Sequence, residues 1–197
     1  MRQTDISPIR TCLKAAVSLA PALLATLSGC AEGSNLPPLP ETHDTAYHLG
    51  PGDQLRVITF GEQQLTGEFK VSDGGTVALP LVGVVSASGK TTAELGDEIA
   101  GELRDKNLLR DPSVSVEVTN YRPIFVLGEV AKPGQYPYQP GMTTLTAVTV
   151  AGGFTYRAIT DYASIVRIIN GHPVEGRVSR QSYVEPGDVI TVFERHF

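Results

Sequence analysis

The stretch Gly83-Val84-Val85-Ser86-Ala87-Ser88-Gly89-Lys90-Thr91 holds the residue types of a phosphate cradle: glycines, a lysine and a hydroxyl before a helix. Gly83 and Gly89 stand one residue farther apart than such a loop allows, so the backbone amides would miss the phosphates. The stretch reads instead as a turn leading into a helix cap. His43, His48, His172 and His196 are scattered, with no i, i+4 pair and no cysteine partner, and predict no metal set. Asp97 and Glu98 adjoin on a predicted helix whose pattern turns them to solvent. Asp53, Glu129 and Asp188 lie nearest to turn motifs, where structural roles suit them. Sugar cleavage needs two carboxylates at a set separation across a glycosidic bond, which spacing alone does not specify. No Gly-x-Ser-x-Gly elbow occurs. The expectation is a protein that is not an enzyme, with no cofactor and no metal.

The most reactive side chain in a telling context is Cys30. Ahead of it, Arg2, Arg10 and Lys14 face only Asp5, and Ala15 to Leu27 is almost wholly apolar, broken by Pro21. Ser28 and Gly29 supply the small residues of a cleavage site, so residues 1–29 have the layout of a secretory signal. Leu27-Ser28-Gly29-Cys30 resembles the bacterial lipoprotein box, which implies that Cys30 is the lipid attachment site and first mature residue. Ala31 in place of an aspartate implies release to the outer membrane. Cys12 leaves with the signal. Residues 30–46, with Pro37, Pro38 and Pro40 among polar neighbours, read as a lipidated, extended and semi-rigid tether.

Composition narrows the rest. The chain has 197 residues, 41% hydrophobic and 19% charged, the make-up of a folded protein. A net charge of −5 argues against a nucleic-acid partner. Two cysteines cannot build a disulfide framework. Twenty glycines and 14 prolines predict many turns between short elements.

Those elements fall into two groups, so the predicted fold class is α+β: two small mixed β domains, each with one main helix. The domains are 47–121 and 122–197, parted at Tyr121-Arg122-Pro123. In the first, Leu55, Val57 and Thr59 alternate with Arg56, Ile58 and Phe60 in a strand with apolar residues on both faces. Asp73-Gly74 reads as a hairpin turn between Phe69–Val71 and Val77–Leu79, and Val82 to Val85 as a further strand. Thr91 and Glu94 have capping-box spacing ahead of Leu95, Ile99 and Leu103, predicting an amphipathic helix that ends near Asn107. Val114, Val116 and Val118 alternate as a half-buried strand. In the second, Ile124 to Leu127 is a strand and Lys132-Pro133-Gly134 a turn. A helix is expected over Thr143–Ala151, closed by Gly152-Gly153. Ser164–Ile169 and Val174–Val178 flank the hairpin signal Asn170-Gly171, and Val189 to Phe193 is the last strand. Gly50-Pro51-Gly52-Asp53 before Leu55 and Val57 is echoed by Glu185-Pro186-Gly187-Asp188 before Ile190 and Val192. Pro then Gly suits a type II turn, and the Asp can bond nearby backbone. These are expected to be structural turns that bracket the folded region.

The order of motifs resembles one family, the Wza-type polysaccharide export lipoproteins of Gram-negative bacteria, from Tyr47 to Phe193. Tyr47-His-Leu-Gly50-Pro51-Gly52-Asp53-Gln-Leu55-Arg-Val57 is similar to the opening of the polysaccharide export domain. Val71-Ser-Asp73-Gly74-Gly-Thr-Val77, Leu79-Pro80-Leu81-Val82-Gly83, Gly89-Lys-Thr91, Glu94-Leu95 and Asp111-Pro112-Ser-Val114 continue in the family's order. Val126-Leu-Gly128-Glu129-Val130-Ala-Lys-Pro133-Gly134, Leu145 to Gly153 and Ala158 resemble a soluble-ligand-binding β-grasp (SLBB) domain. The resemblance implies an outer-membrane-tethered, periplasm-facing component of an exopolysaccharide or capsule exporter, held by lipid on Cys30. It implies a homo-oligomeric ring that conducts the polysaccharide and meets an inner-membrane polysaccharide co-polymerase. Longer members continue into a C-terminal transmembrane helix. Here four residues follow Phe193, so a short form is expected that uses a separate outer-membrane channel or another exit route. The alternative is a monomeric periplasmic module binding a saccharide or small ligand, with Tyr136, Tyr138, Tyr156 and Tyr162 as stacking candidates.

Overall fold

The computed structural model describes residues 32–40 and 46–195. Cys30, the signal segment, His43, His196 and Phe197 lie outside the described residues. The fold is α+β, two small domains with separate hydrophobic cores, one spanning Leu49 to Val116 and the other Ile124 to Val192.

In the first domain, β1 (Gln54–Thr59) lies between β2 (Gly67–Lys70) and β5 (Val114–Asn120), antiparallel to both. Its alternation is one-sided: Leu55, Val57 and Thr59 are buried, while Phe60, just past its end, is exposed. Helix α1 (Thr92–Asp105) packs on β5 and buries Leu95, Ile99 and Leu103. Thr91 caps it: its Oγ1 accepts the Glu94 amide, and the Thr91 amide donates to the Glu94 carboxylate at 2.7 Å. The reading of Asp73-Gly74 needs correction. Ser72 to Thr76 does close a tight turn, the Ser72 amide donating to the Thr76 carbonyl at 2.8 Å. The strands on either side do not pair, because β2 belongs to the β1 sheet. β3 (Thr76–Leu79) pairs instead with β4 (Gly83–Ser86), and this ribbon closes the core with Val77, Leu79, Val82 and Val85.

The second domain is one mixed sheet. In chain order its strands are β6 (Ile124–Gly128), β7 (Gly134–Tyr136), β8 (Tyr162–Ile169), β9 (His172–Ser179) and β10 (Val189–Val192). They lie in the order β7-β6-β10-β8-β9, with β6 and β10 parallel and the other pairs antiparallel. With α2 (Thr144–Val150) packed on one face, this is the β-grasp arrangement. Asn170 and Gly171 both have positive φ, the type I′ geometry that joins β8 to β9.

The Pro-rich segment is not a free tether over residues 32–40. β9 is an edge strand, with unpaired amides and carbonyls. The Arg177 amide donates to the Pro37 carbonyl at 2.8 Å and the Leu39 amide to the Arg177 carbonyl at 3.0 Å, making a parallel bridge at Pro38. Proline lacks a donor but is already extended, and an edge requires no more of it. Leu39 then packs against the second core.

Candidate functional site

The two Pro-Gly-Asp turns, far apart in sequence, both bond the linker between the domains. Each is a hydrogen-bonded type II turn: Asp53 N–H donates to Gly50 O at 3.2 Å and Asp188 N–H to Glu185 O at 3.1 Å. Gly52 and Gly187, at φ 99° and 93°, take the left-handed position that Pro-Gly supplies. Both aspartates are buried. Each also accepts the amide three residues back, Asp53 from Gly50 at 2.8 Å and Asp188 from Glu185 at 2.7 Å.

The remaining lone pairs face arginines that the sequence reading did not single out. Asp53 Oδ1 accepts the backbone N–H of Arg122 at 3.1 Å and lies 3.3 Å from its Nε. Asp188 takes a two-pronged bond from Arg167, Nε to Oδ1 at 3.0 Å and a terminal nitrogen to Oδ2 at 2.7 Å. Arg167, 6% exposed, also donates to the Glu185 carboxylate at 2.6 Å and the Tyr183 carbonyl at 3.1 Å. Burial works against its charge. The bonds to Asp188 and the negative charges of Asp188 and Glu185 outweigh it and raise the Arg167 pKa.

The linker Tyr121-Arg122-Pro123 is therefore gripped from both sides. Asp53 holds the Arg122 amide, and the next carbonyl, that of Pro123, accepts the Gly187 amide at 3.1 Å. Tyr121 sits edge-on between Tyr47 and Tyr138, with centroids 5.0 and 5.4 Å away, so three rings cross the boundary. These bonds and ring contacts join the two domains at the linker. Beside it, Ala46, Tyr47, Thr91, Thr92, Val116, Glu117, Val118 and Tyr121 line an open cleft of about 460 Å³.

Tyr47 reports on this junction. Its hydroxyl donates to Asp53 Oδ2 at 2.5 Å and accepts from Arg122 at 3.1 Å. Burial, then the bond to the Asp53 carboxylate, raise its pKa well above the ordinary 10.0. A group raised in this way contributes stability that is complete below its unfolded pKa and is lost as pH climbs toward the folded one. In an ultraviolet titration, one of the seven tyrosines should ionise last, together with alkaline unfolding, and Tyr47→Phe should remove that phase. Ionisation of Tyr47 alongside the exposed tyrosines would contradict the assignment.

The other candidates are dispersed. Lys90 of the cradle-like stretch is paired with Glu98 and donates to the Ser86 carbonyl at 2.9 Å. Asp97 is exposed. Glu129 accepts the Thr155 hydroxyl at 2.5 Å. Among the described residues no cluster of His, Cys, Asp and Glu could hold a metal ion. The four tyrosines considered for stacking do not converge. Tyr136 and Tyr138 pack on the second core, Tyr162 lies against Phe193, and Tyr156 is exposed.

Comparison with known proteins gives two consecutive family matches. Residues 41–119 match the polysaccharide biosynthesis/export protein family and residues 123–178 the SLBB domain. The exopolysaccharide production protein ExoF of Rhizobium meliloti (strain 1021) is 41% identical over 143 residues, 67% of this chain and 32% of that protein. The EPS I polysaccharide export outer membrane protein EpsA of Ralstonia nicotianae (strain ATCC BAA-1114 / GMI1000) is 30% identical over 153 residues, 64% of this chain and 39% of EpsA. EpsA of Ralstonia solanacearum is 29% identical over 153 residues. The matched region is thus between 32% and 40% of the length of these curated relatives.

Proposed function

We propose that this chain, a Wza-type polysaccharide export protein with an export domain followed by an SLBB domain, is an outer-membrane-tethered conduit component of an exopolysaccharide exporter. The observation that carries the reading is the pairing of these two domains, in this order, in one chain. The name of EpsA as an outer membrane export protein supports the location, and the lipobox supports Cys30 as the lipid anchor. Residues 47–121 are assigned to the export domain and 122–197 to the SLBB domain.

Copies are proposed to assemble head to tail into a closed ring, the symmetric outcome of a heterologous contact whose rotation closes. Two features favour this. The junction contacts hold the two domains of each copy together, and the first domain exposes the large apolar side chains Phe60 and Leu81. The ring conducts polymer without altering it and docks against an inner-membrane co-polymerase. Conduction is served by a hydrated, net-acidic protein that does not hold the polymer tightly.

Deletion of the gene in its host, with polymer assayed inside and outside the cell, tests the proposal. Secreted polymer should be lost, restored by the wild-type chain and restored poorly by Cys30→Ala. Normal secretion from the deletion strain, with no second copy of the gene, would overturn it.

A further inference from the structure

The second sheet has two unlike faces. One is the core face, with Ile124, Val126, Ile165 and Ile190 buried. The other carries Phe125, Val189 and Val166 side by side in register across β6, β10 and β8, with Leu127 and Ile168 two residues along their strands. Phe125, Leu127 and Ile168 on this outer face are exposed, Ile168 at 65%.

The N-terminal segment begins at one end of that same face. The Tyr162 hydroxyl donates to the Glu32 carbonyl at 2.8 Å, and the Arg177 guanidinium donates to the Ser34 carbonyl at 3.1 Å while lying 5.8 Å from the Tyr162 ring. Gly33 presses on Phe193 so closely that a Cβ there would fall 2.2 Å from the ring. Tyr162 and Arg177 share the outer face with Val166, by the two-residue period of β8 and the pairing of Ser164 with Arg177. The lipid attachment proposed at Cys30 precedes this bonded segment by two residues, at most about 7 Å of chain.

We propose that the outer face formed by Phe125, Leu127, Val166, Ile168 and Val189 lies against the lipid surface that the Cys30 acyl chains enter, and that docking of residues 32–40 sets this orientation. The inference rests on the acylation of Cys30 proposed above. An acyl anchor on a free tether leaves a protein free to tumble at the surface. A strap bonded at Glu32, Ser34, Pro37 and Leu39 removes that freedom and presents this apolar sheet face to the lipid.

The test uses the full acylated chain in vesicles of phosphatidylethanolamine and phosphatidylglycerol carrying headgroup spin labels. A fluorophore is placed at Ile168→Cys or, in the first domain, at the equally exposed Val84→Cys. Quenching should be several-fold stronger at 168 than at 84. Gly176→Ala, whose Cβ would fall 2.4 Å from Leu39 Cα, and the milder Tyr162→Phe should both leave flotation with vesicles intact and reduce the difference. Mass spectrometry of the same samples separates the two ideas. A bare Cys30 overturns the anchor and this proposal together. An acylated Cys30 with equal quenching, with stronger quenching at 84, or with a difference untouched by both strap variants overturns this proposal alone. So does protection at 168 that follows protein concentration, which would give the face to a second copy.

Discussion

Asp188→Ala is expected to destabilise the second domain by about 3–5 kcal/mol, the range for breaking one partner out of a buried ion pair. The cost arises on the arginine. Arg167 is almost wholly buried, and loss of Asp188 strips its guanidinium of the bonds to Oδ1 and Oδ2. The Glu185 amide loses its acceptor as well. Chemical denaturation reads the effect directly. The double variant Arg167→Met/Asp188→Leu should recover most of the loss, since an apolar pair leaves no orphaned charge. The corresponding Asp53→Ala should cost less, about 2–3 kcal/mol, because Arg122 is 28% exposed and can turn to solvent. A cost below about 1 kcal/mol for Asp188→Ala would mean that the arginine finds other partners, and the clasp would lose its energetic basis.

Gly128→Ala is the second large effect. Gly128 ends β6 at φ 80°, a conformation that alone costs an alanine about 1–2 kcal/mol. A Cβ there would also fall 2.0 Å from the Val192 carbonyl oxygen, the acceptor of the Glu129 amide. The clash is with backbone, so relief requires the parallel β6–β10 pair to part at the centre of the sheet. The combined loss should be about 3 kcal/mol or more. Gly141→Ala isolates the conformational part, because Gly141 has the same φ of 80° and nothing within 4 Å of its Cβ position. A thermal melt in which the two variants lose equal stability would show that β10 is not seated as described.

Local chemistry made much of the fold legible. Thr91 and Glu94 sit three residues apart, which is all that a capping box needs, and Asn170-Gly171 carries its turn type in two residues. Leu95, Ile99 and Leu103 declare their helix face by spacing. Pairing across distance was harder to read. The turn at Ser72–Gly75 is real, but which strand follows which sheet depends on the core that β3 and β4 complete, and no local signal encodes that. The junction shows the same divide. Its Pro-Gly-Asp turns stand out in the sequence, whereas Arg122 lies 69 residues from Asp53 and belongs to a linker, and Arg167 occupies one position of a largely apolar strand. An arginine at an inward-facing strand position, opposite a turn aspartate, was the available signal. The Pro-rich segment misled because composition describes stiffness and not whether a sheet edge waits nearby.

Identical acylated copies are proposed to close into a passage for polymer. Electron microscopy of the full chain, purified from membranes in mild detergent, distinguishes such a ring from separate copies. Closed rings with a central opening are the predicted result. A monomer at high concentration that binds oligosaccharide tightly would contradict it and mark the chain as a periplasmic binding module.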